Sequence, residues 1–230
     1  MTDRPHASEI GEYNQPPDAR VLWDVMTHDP SAGVIVCDAA GRVIWSNERG
    51  VRIYLGPDAR VEDTIGRSWD ELGFPGAWVD ERLRLFAELI RSGEPVLLRT
   101  IWRGEQVLAW LYPVPPDDAC PIERVLIVAR QSVADAKELG AQSDTRVMSS
   151  EVARLGELDA LTPRELEVLA LLGQGLSIKE ISKLLFRSDK TIGRHRDAIG
   201  VKLGLHNKVD LAEVARRAGL TVEDVGRERV

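Results

Sequence analysis

Residues Leu161 to Gly219 read LTPRELEVLALLGQGLSIKEISKLLFRSDKTIGRHRDAIGVKLGLHNKVDLAEVARRAG, and this stretch decides how the rest of the chain is understood. Two helix starts in it have the form of a capping box, Thr162 with Glu165 and Ser177 with Glu180, in which side chains and backbone amides three residues apart satisfy each other. Pro163 stands at the first helical position, where its missing N–H would have had no partner. Leu166, Val168, Leu169, Ala170, Leu171 and Leu172 make the first helix apolar over most of its circumference, which predicts that it forms the centre of a small core. Gly173 and Gly175 end it. The second helix is expected to bury Ile178, Ile181, Leu184 and Leu185. Phe186 and Arg187 form a turn, and Ser188 caps a third helix with Ile192, Ile199 and Leu203 inward and Lys190, Thr191, Arg194, Asp197 and Val201 outward. Two short helices joined by a tight turn, the second polar and basic near its N-terminus, are the pattern of a helix-turn-helix.

A helix fits the major groove of B-DNA, arginine donates a bidentate pair to guanine, and lysines hold phosphates. Lys190 and Arg194 are therefore the candidates for groove contact, with Asp197 on the same face. Lys179, Thr191, Arg196 and Lys202 are candidates for phosphate or edge contact. The net charge of −7 argues against a nucleic-acid partner only as an average over the chain. From Asp159 to Leu220 there are 11 Lys and Arg against 8 Asp and Glu, a net +3, leaving 19 against 29, a net −10, elsewhere. A basic module on an acidic chain fits double-stranded DNA as the partner of this part alone.

The stretch resembles the C-terminal domain of LuxR/FixJ-type transcriptional regulators. The matching residues are Leu161 to Leu169, then Gly175, Ser177, Lys179, Glu180 and Ile181, then Thr191-Ile192, His195-Arg196, Ile199 and Lys202-Leu203-Gly204. The resemblance implies that the helix from Asn207 to Ala218, with Leu211, Val214, Ala215 and Ala218 on one face, pairs two such heads in a homodimer over a two-fold operator. Two positions depart from the family pattern. Gly193 stands where a lysine is common, and Ile178 where asparagine is common, so Arg194 is expected to carry more of the base preference.

The N-terminal half reads differently. Residues 1–19 are expected to be disordered, and 20–132 form one domain. A short helix holds Val21, Leu22, Trp23, Val25 and Met26. GVIVCD (Gly33–Asp38) and RVIWSN (Arg42–Asn47) are β-rich runs about a glycine turn, a hairpin signal. Short turns follow, then a helix with Val79, Leu83, Phe86, Leu89 and Ile90 on one side. Three further strands run over Pro95–Trp102, Gln106–Val114 and Arg124–Arg130. The order predicts an α+β domain with a five-stranded antiparallel sheet and helices on one side, followed by the all-α helix-turn-helix domain. The opening hairpin and the segment TIGRSWDEL (Thr64–Leu72) resemble a PAS domain, which implies a sensory or dimerisation role.

All six tryptophans lie in this half. Cys37, Trp45, Trp102 and Trp110 are the candidates to line a pocket for a small-molecule ligand, although filling of a core or dimer surface is the more ordinary role of such aromatic residues. Histidine-ligated haem is disfavoured, because no histidine lies between Gly33 and Ser132. A photoreactive flavin is disfavoured too, because the cysteine-centred motif of that PAS branch is missing. Residues 133–158 are expected to be a linker helix, with Met148, Val152, Leu155 and Leu158 as a short coiled-coil stripe. The head is then 159–222 and the tail 223–230.

No nucleophile, base and orienting group can be assembled from this sequence, which disfavours an enzyme. The acidic pair of a phosphoacceptor domain is missing after the first strand. Two cysteines without a CxxC pair disfavour a structural zinc or disulfide framework. No apolar run is long enough for the membrane, and none near the N-terminus serves as a secretory signal, so a cytoplasmic location is expected. The rival readings are a sigma-factor-like region acting through RNA polymerase and a PAS-containing interaction adaptor. The fourth helix and the Lys202–Leu205 run favour the LuxR-type reading over the sigma factor, and the salt dependence of duplex binding separates it from the adaptor.

Overall fold

A hairpin opens the N-terminal domain in the computed structural model, which describes residues 18–230. Strand β1 (Gly33–Asp38) returns as β2 (Val43–Ser46). The turn is held because the Asp38 carboxylate accepts the amides of Ala40 and Arg42 at 2.9 and 2.8 Å, while Gly41 takes a φ of 77°, a value glycine adopts without strain. Helix α1 (Ala19–His28) precedes this hairpin and α2 (Glu48–Leu55) follows it. Asn47 ties the three together. Its Oδ1 accepts from the amides of Gly50 and Val34, and its Nδ2 donates to the carbonyls of Thr27 and Ala32. The disorder expected for 1–19 lies outside the described residues except at Asp18 and Ala19, where α1 is capped and begins.

Helix α3 (Gly76–Ser92) buries Trp78, Val79, Arg82, Leu85, Phe86 and Leu89 along one stripe and ends at Gly93 in the left-handed region. Strands β3 (Val96–Trp102) and β4 (Glu105–Val114) are joined by Arg103 and Gly104, both at positive φ. That geometry matches the twist of the strands it links. Strand β5 (Arg124–Gln131) then pairs with both β1 and β4. Alternation along the strands sends Ile35, Cys37, Leu98, Trp102, Ala109, Leu111 and Ile127 to the face covered by α2 and α3. The five antiparallel strands lie in the order β2-β1-β5-β4-β3.

The segment after β5 corrects the expected linker helix. It forms α4 (Ala136–Ser143), β6 (Arg146–Ser149), β7 (Val152–Ala153) and a 3-10 turn at Gly156–Ala160. Strand β6 runs parallel to β3, from Val96 opposite Arg146 to Arg99 opposite Ser149, and makes the sheet a mixed one of six strands. The open edge of β3 carries backbone donors and acceptors that a strand satisfies and a helix cannot. The apolar stripe read as a coiled-coil seam is divided between two cores. Met148 and Val152 pack on the sheet, and Leu155 and Leu158 are buried among the head helices. Residues 223–230 are also more than a tail. After a 3-10 turn (Val222–Gly226), strand β8 (Glu228–Arg229) pairs parallel with β7.

The head comprises α5 (Pro163–Gly173), α6 (Ile178–Leu184), α7 (Asp189–Leu203) and α8 (Lys208–Arg217). Leu166, Leu169 and Leu172 meet Ile181, Ile192, Ile199, Leu211 and Ala215 in one core, and Ile101 of β3 joins the same cluster. The head is therefore seated against the face of β3 turned away from α3. Among the described residues, no helix is long and apolar enough to cross a membrane.

Candidate nucleic-acid interface

The two helices of the turn motif are positioned by their caps. Ser177 and Glu180 satisfy each other's amides at the start of α6, as Thr162 and Glu165 do for α5. The turn places Phe186 at a φ of 52°, and the Ser188 hydroxyl accepts from the Thr191 amide to start α7. The Ser182 hydroxyl of α6 bonds the Asp189 carboxylate in the first turn of α7. This locks the angle between the two helices by a polar contact at the edge of the core.

One face of α7 then stands clear of protein. Lys190, Arg194, Asp197 and Val201 recur at helical spacing and are all exposed, Val201 at 81%. Lys179 is exposed at the first turn of α6, and Thr191 is half-buried with its hydroxyl on that of Ser188. Two of the expected contacts are already engaged. The guanidinium of Arg196 lies against the Asp197 carboxylate, with Nε 3.0 Å away. Lys202 is paired within the head: its Nζ sits 2.6 Å from Glu165 Oε2 and ties the end of α7 to the cap of α5. A charge committed to an internal partner is a poor donor to a phosphate. At Gly193 an added Cβ would meet nothing within 4 Å, so the position is open.

Burial pushes the Glu165 carboxyl up, but hydrogen bonds from Lys202 and from the Thr162 amide and hydroxyl outweigh it and hold the group below its ordinary value of 4.5. A carboxyl whose folded pKa is depressed stabilises the fold above the unfolded value and loses that contribution as pH falls through the folded one. The head's melting temperature should therefore be insensitive to this group above pH 4.5 and drop below it. The Glu165→Gln variant should show a shallower acid limb in thermal melts, and an identical limb would contradict the assignment.

The residues of α8 expected to pair two heads are engaged within their own head. Leu211 is 2% exposed and Ala218 0%, and both, with Ala215, lie in the head's own core against α5. Val214 is partly buried on the same cluster. These residues hold α8 to its own head through the cluster they share with α5. The apolar side chain that α8 does present outward is Val209, 76% exposed.

In the N-terminal domain a cavity of about 40 Å³ lies between α3 and the sheet, lined by Tyr54, Trp69, Phe74, Trp78, Arg82 and Leu98 among others. None of Cys37, Trp45, Trp102 and Trp110 lines it. Cys37 is buried within the sheet core, and burial pushes its thiol far up, so it stays protonated and is a poor thiolate ligand. Trp102 stands one layer back, its Nε1 donating to the Tyr54 carbonyl and its ring stacked on Phe74. Trp45 packs on Trp23 of α1, and Trp110 packs with Leu97, Leu108 and Ala136. The wall carries polar groups the sequence did not single out. Trp78 Nε1 is buried with no partner among the described residues. The Arg82 guanidinium lies over the Trp78 ring at 4.7 Å, and burial pushes the Tyr54 hydroxyl up to about 12.

Residues 159–215 match the model of the bacterial regulatory proteins, luxR family. Over 60 residues, 26% of this chain, the sequence is 45% identical to the oxygen regulatory protein NreC of Staphylococcus aureus (strain JH9). It is 43% identical over 60 residues to the HTH-type transcriptional regulator Rv0890c of Mycobacterium tuberculosis. The chain spans 28% of the length of the first of these relatives and 7% of the second. Among solved structures, VqmA bound to DPO is similar at 20% identity and a TM-score of 0.44, over 91% of this chain and 94% of that one. The PAS domain of Bordetella pertussis BvgS is similar at 16% identity and a TM-score of 0.40, over 56% of this chain and 96% of its own.

Proposed function

We propose that this chain, whose residues 159–215 form a LuxR-type DNA-binding domain behind a PAS-like domain, is a cytoplasmic, homodimeric transcription regulator rather than an enzyme. Helix α7 enters the major groove of double-stranded DNA, and RNA polymerase is met at the promoter as a further partner. The observation that carries this reading is the bare face of α7. Lys190, Arg194, Asp197 and Val201 are aligned, exposed and set on a capped helix-turn-helix. Arg194 reads guanine with Lys190 beside it in the groove, Val201 is placed to meet a thymine methyl, and Lys179 holds a phosphate.

Pairing of two chains is supported by apolar surface on the N-terminal domain. Helix α1 buries none of its residues, and Val21, Leu22 and Val25 are exposed together with Tyr112 and Ile122 of the sheet side. In the heads, Val209 is the exposed apolar side chain of α8. The PAS-like domain is the controlling part, with the cavity at Trp78 as the seat of a small ligand. Its present volume is on the scale of a few water molecules, so a larger occupant has to part the aromatic side chains around it.

Selection of bound duplexes from a random pool by the full-length protein tests the reading. Two related half-sites, arranged as a pair about a two-fold axis, are the expected product, and recovery of unenriched sequence would refute it. The open site at Gly193 gives a second check. Gly193→Lys is expected to tighten binding to all duplexes alike and to steepen the salt dependence by about 0.9 in log–log slope for each added phosphate contact. An unchanged slope in fluorescence anisotropy would place Gly193 away from the backbone.

A further inference from the structure

A cluster of buried charged groups outside α7 lies at the C-terminal segment, Thr221 to Val230. Asp224 has a fully buried side chain, and both of its oxygens face the Arg99 guanidinium, at 2.9 and 2.8 Å, from 125 residues away. Arg99 belongs to β3. Its Nε donates to Gln106 Oε1 at 2.9 Å and its Nη2 to the Gly219 carbonyl at 2.5 Å. Gly219 allows this closeness, since its φ is 57° and an added Cβ would lie 2.2 Å from Gln106 Oε1. Burial pushes the Asp224 carboxyl up, but the Arg99 hydrogen bonds and charge hold it below its ordinary range.

The same network continues toward the cavity. Arg227 Nε lies 2.7 Å from Asp224 Oδ1, and its guanidinium also donates to the Ser150 carbonyl. The Ser150 hydroxyl is 2.7 Å from Glu81 Oε2, and Glu81 Oε1 accepts the Glu151 amide at 2.6 Å. Glu81 pairs with its neighbour Arg82, the buried cation that lies over Trp78 and lines the cavity. Backbone bonds from Glu228 to Glu151 and from Val230 to Ala153 fasten the segment alongside.

We propose that Thr221–Val230 is a clasp that fixes the seat of the head on the PAS-like domain, and that the Glu81–Arg82 pair connects this clasp to the wall of the ligand cavity. An occupant that offers an acceptor to Arg82 competes with Glu81 for the guanidinium and so changes what Glu81 holds at Ser150 and Glu151. The clasp grips the head beyond the C-terminal end of α8 and leaves Lys190, Arg194 and Asp197 exposed, so it acts on how the head is oriented rather than by covering the reading face. The inference deepens the reading of the N-terminal domain as the controlling part. Its test uses no DNA, so the two fail separately.

Hydrogen exchange on the full-length protein provides that test. Asp224→Asn leaves Arg99 with one charged partner fewer. It should speed exchange in Gly219–Val230 and Ser150–Arg154 by about a hundredfold, the lower range for a buried pair that loses one charge, with α5 and α7 unchanged. Glu81→Gln lies outside the clasp and keeps the side-chain shape. It should speed the same two segments by about tenfold, and it carries the test should Asp224→Asn not fold. Wild-type rates in Asp224→Asn, or acceleration throughout the head, would overturn the clasp. Wild-type rates in Glu81→Gln would overturn its connection to the cavity.

Discussion

Arg194→Ala is expected to relax sequence preference at one base pair of each half-site by about 1 to 3 kcal/mol, the discrimination of one bidentate arginine–guanine pair. The side chain is exposed midway along the bare face of α7. Lys179→Ala, at the first turn of α6, should instead weaken binding to every duplex by a similar factor, because a phosphate contact carries no base information. Competition binding against a panel of single-base variants separates the two. Equal losses on all sequences for both variants would remove Arg194 from the groove.

Leu211→Ala is expected to destabilise the head by about 2 to 5 kcal/mol, the range for truncating a buried leucine. The cost arises because Leu211 is 2% exposed in the core that α8 shares with α5. DNA binding should fall with the folded fraction, while dimerisation through the N-terminal surface persists. Val209→Asp makes the contrast. It should leave the thermal melt within about 0.5 kcal/mol of wild type, as surface changes do, and weaken binding to paired half-sites more than to single ones. A stable Leu211→Ala head, or a Val209→Asp head that melts early, would reverse the assignment of core and pairing face.

Much of the head was legible because its signals are local. Capping residues three apart and apolar stripes at helical spacing act within single helices, and α5 to α8 follow from them. Contacts that depend on distant chain were not readable. Lys202 looks like any exposed lysine until Glu165, 37 residues earlier, arrives 2.6 Å away. An apolar face on α8 is required whether its own domain or a second copy covers it, so spacing alone could not separate core from interface. Strand β6 was hidden for a related reason. Met148, Val152, Leu155 and Leu158 satisfy a helical spacing by accident, and the opposing demand came from the unpaired edge of β3.

The cavity shows where alternation stops being informative. In β4 the run Val107-Leu108-Ala109-Trp110-Leu111 is apolar on both faces, so parity does not mark the side on which Trp110 lies. Trp69 and Phe74, which do line the cavity, stand in irregular chain between Thr64 and Gly76, where no periodicity points a side chain inward. The segment around Thr64 to Leu72 held the one usable clue, since its resemblance to a PAS domain fell on Trp69.

The salt dependence of duplex binding tests the central claim most directly. Full-length protein titrated against a labelled duplex from the selected pool should bind with a log–log slope of about −0.9 for each phosphate neutralised. For a dimer holding about six phosphates, this amounts to roughly a thousandfold loss of affinity between about 50 and 200 mM salt. Weak binding that stays flat across that range would contradict the assignment of α7 and its lysines to DNA.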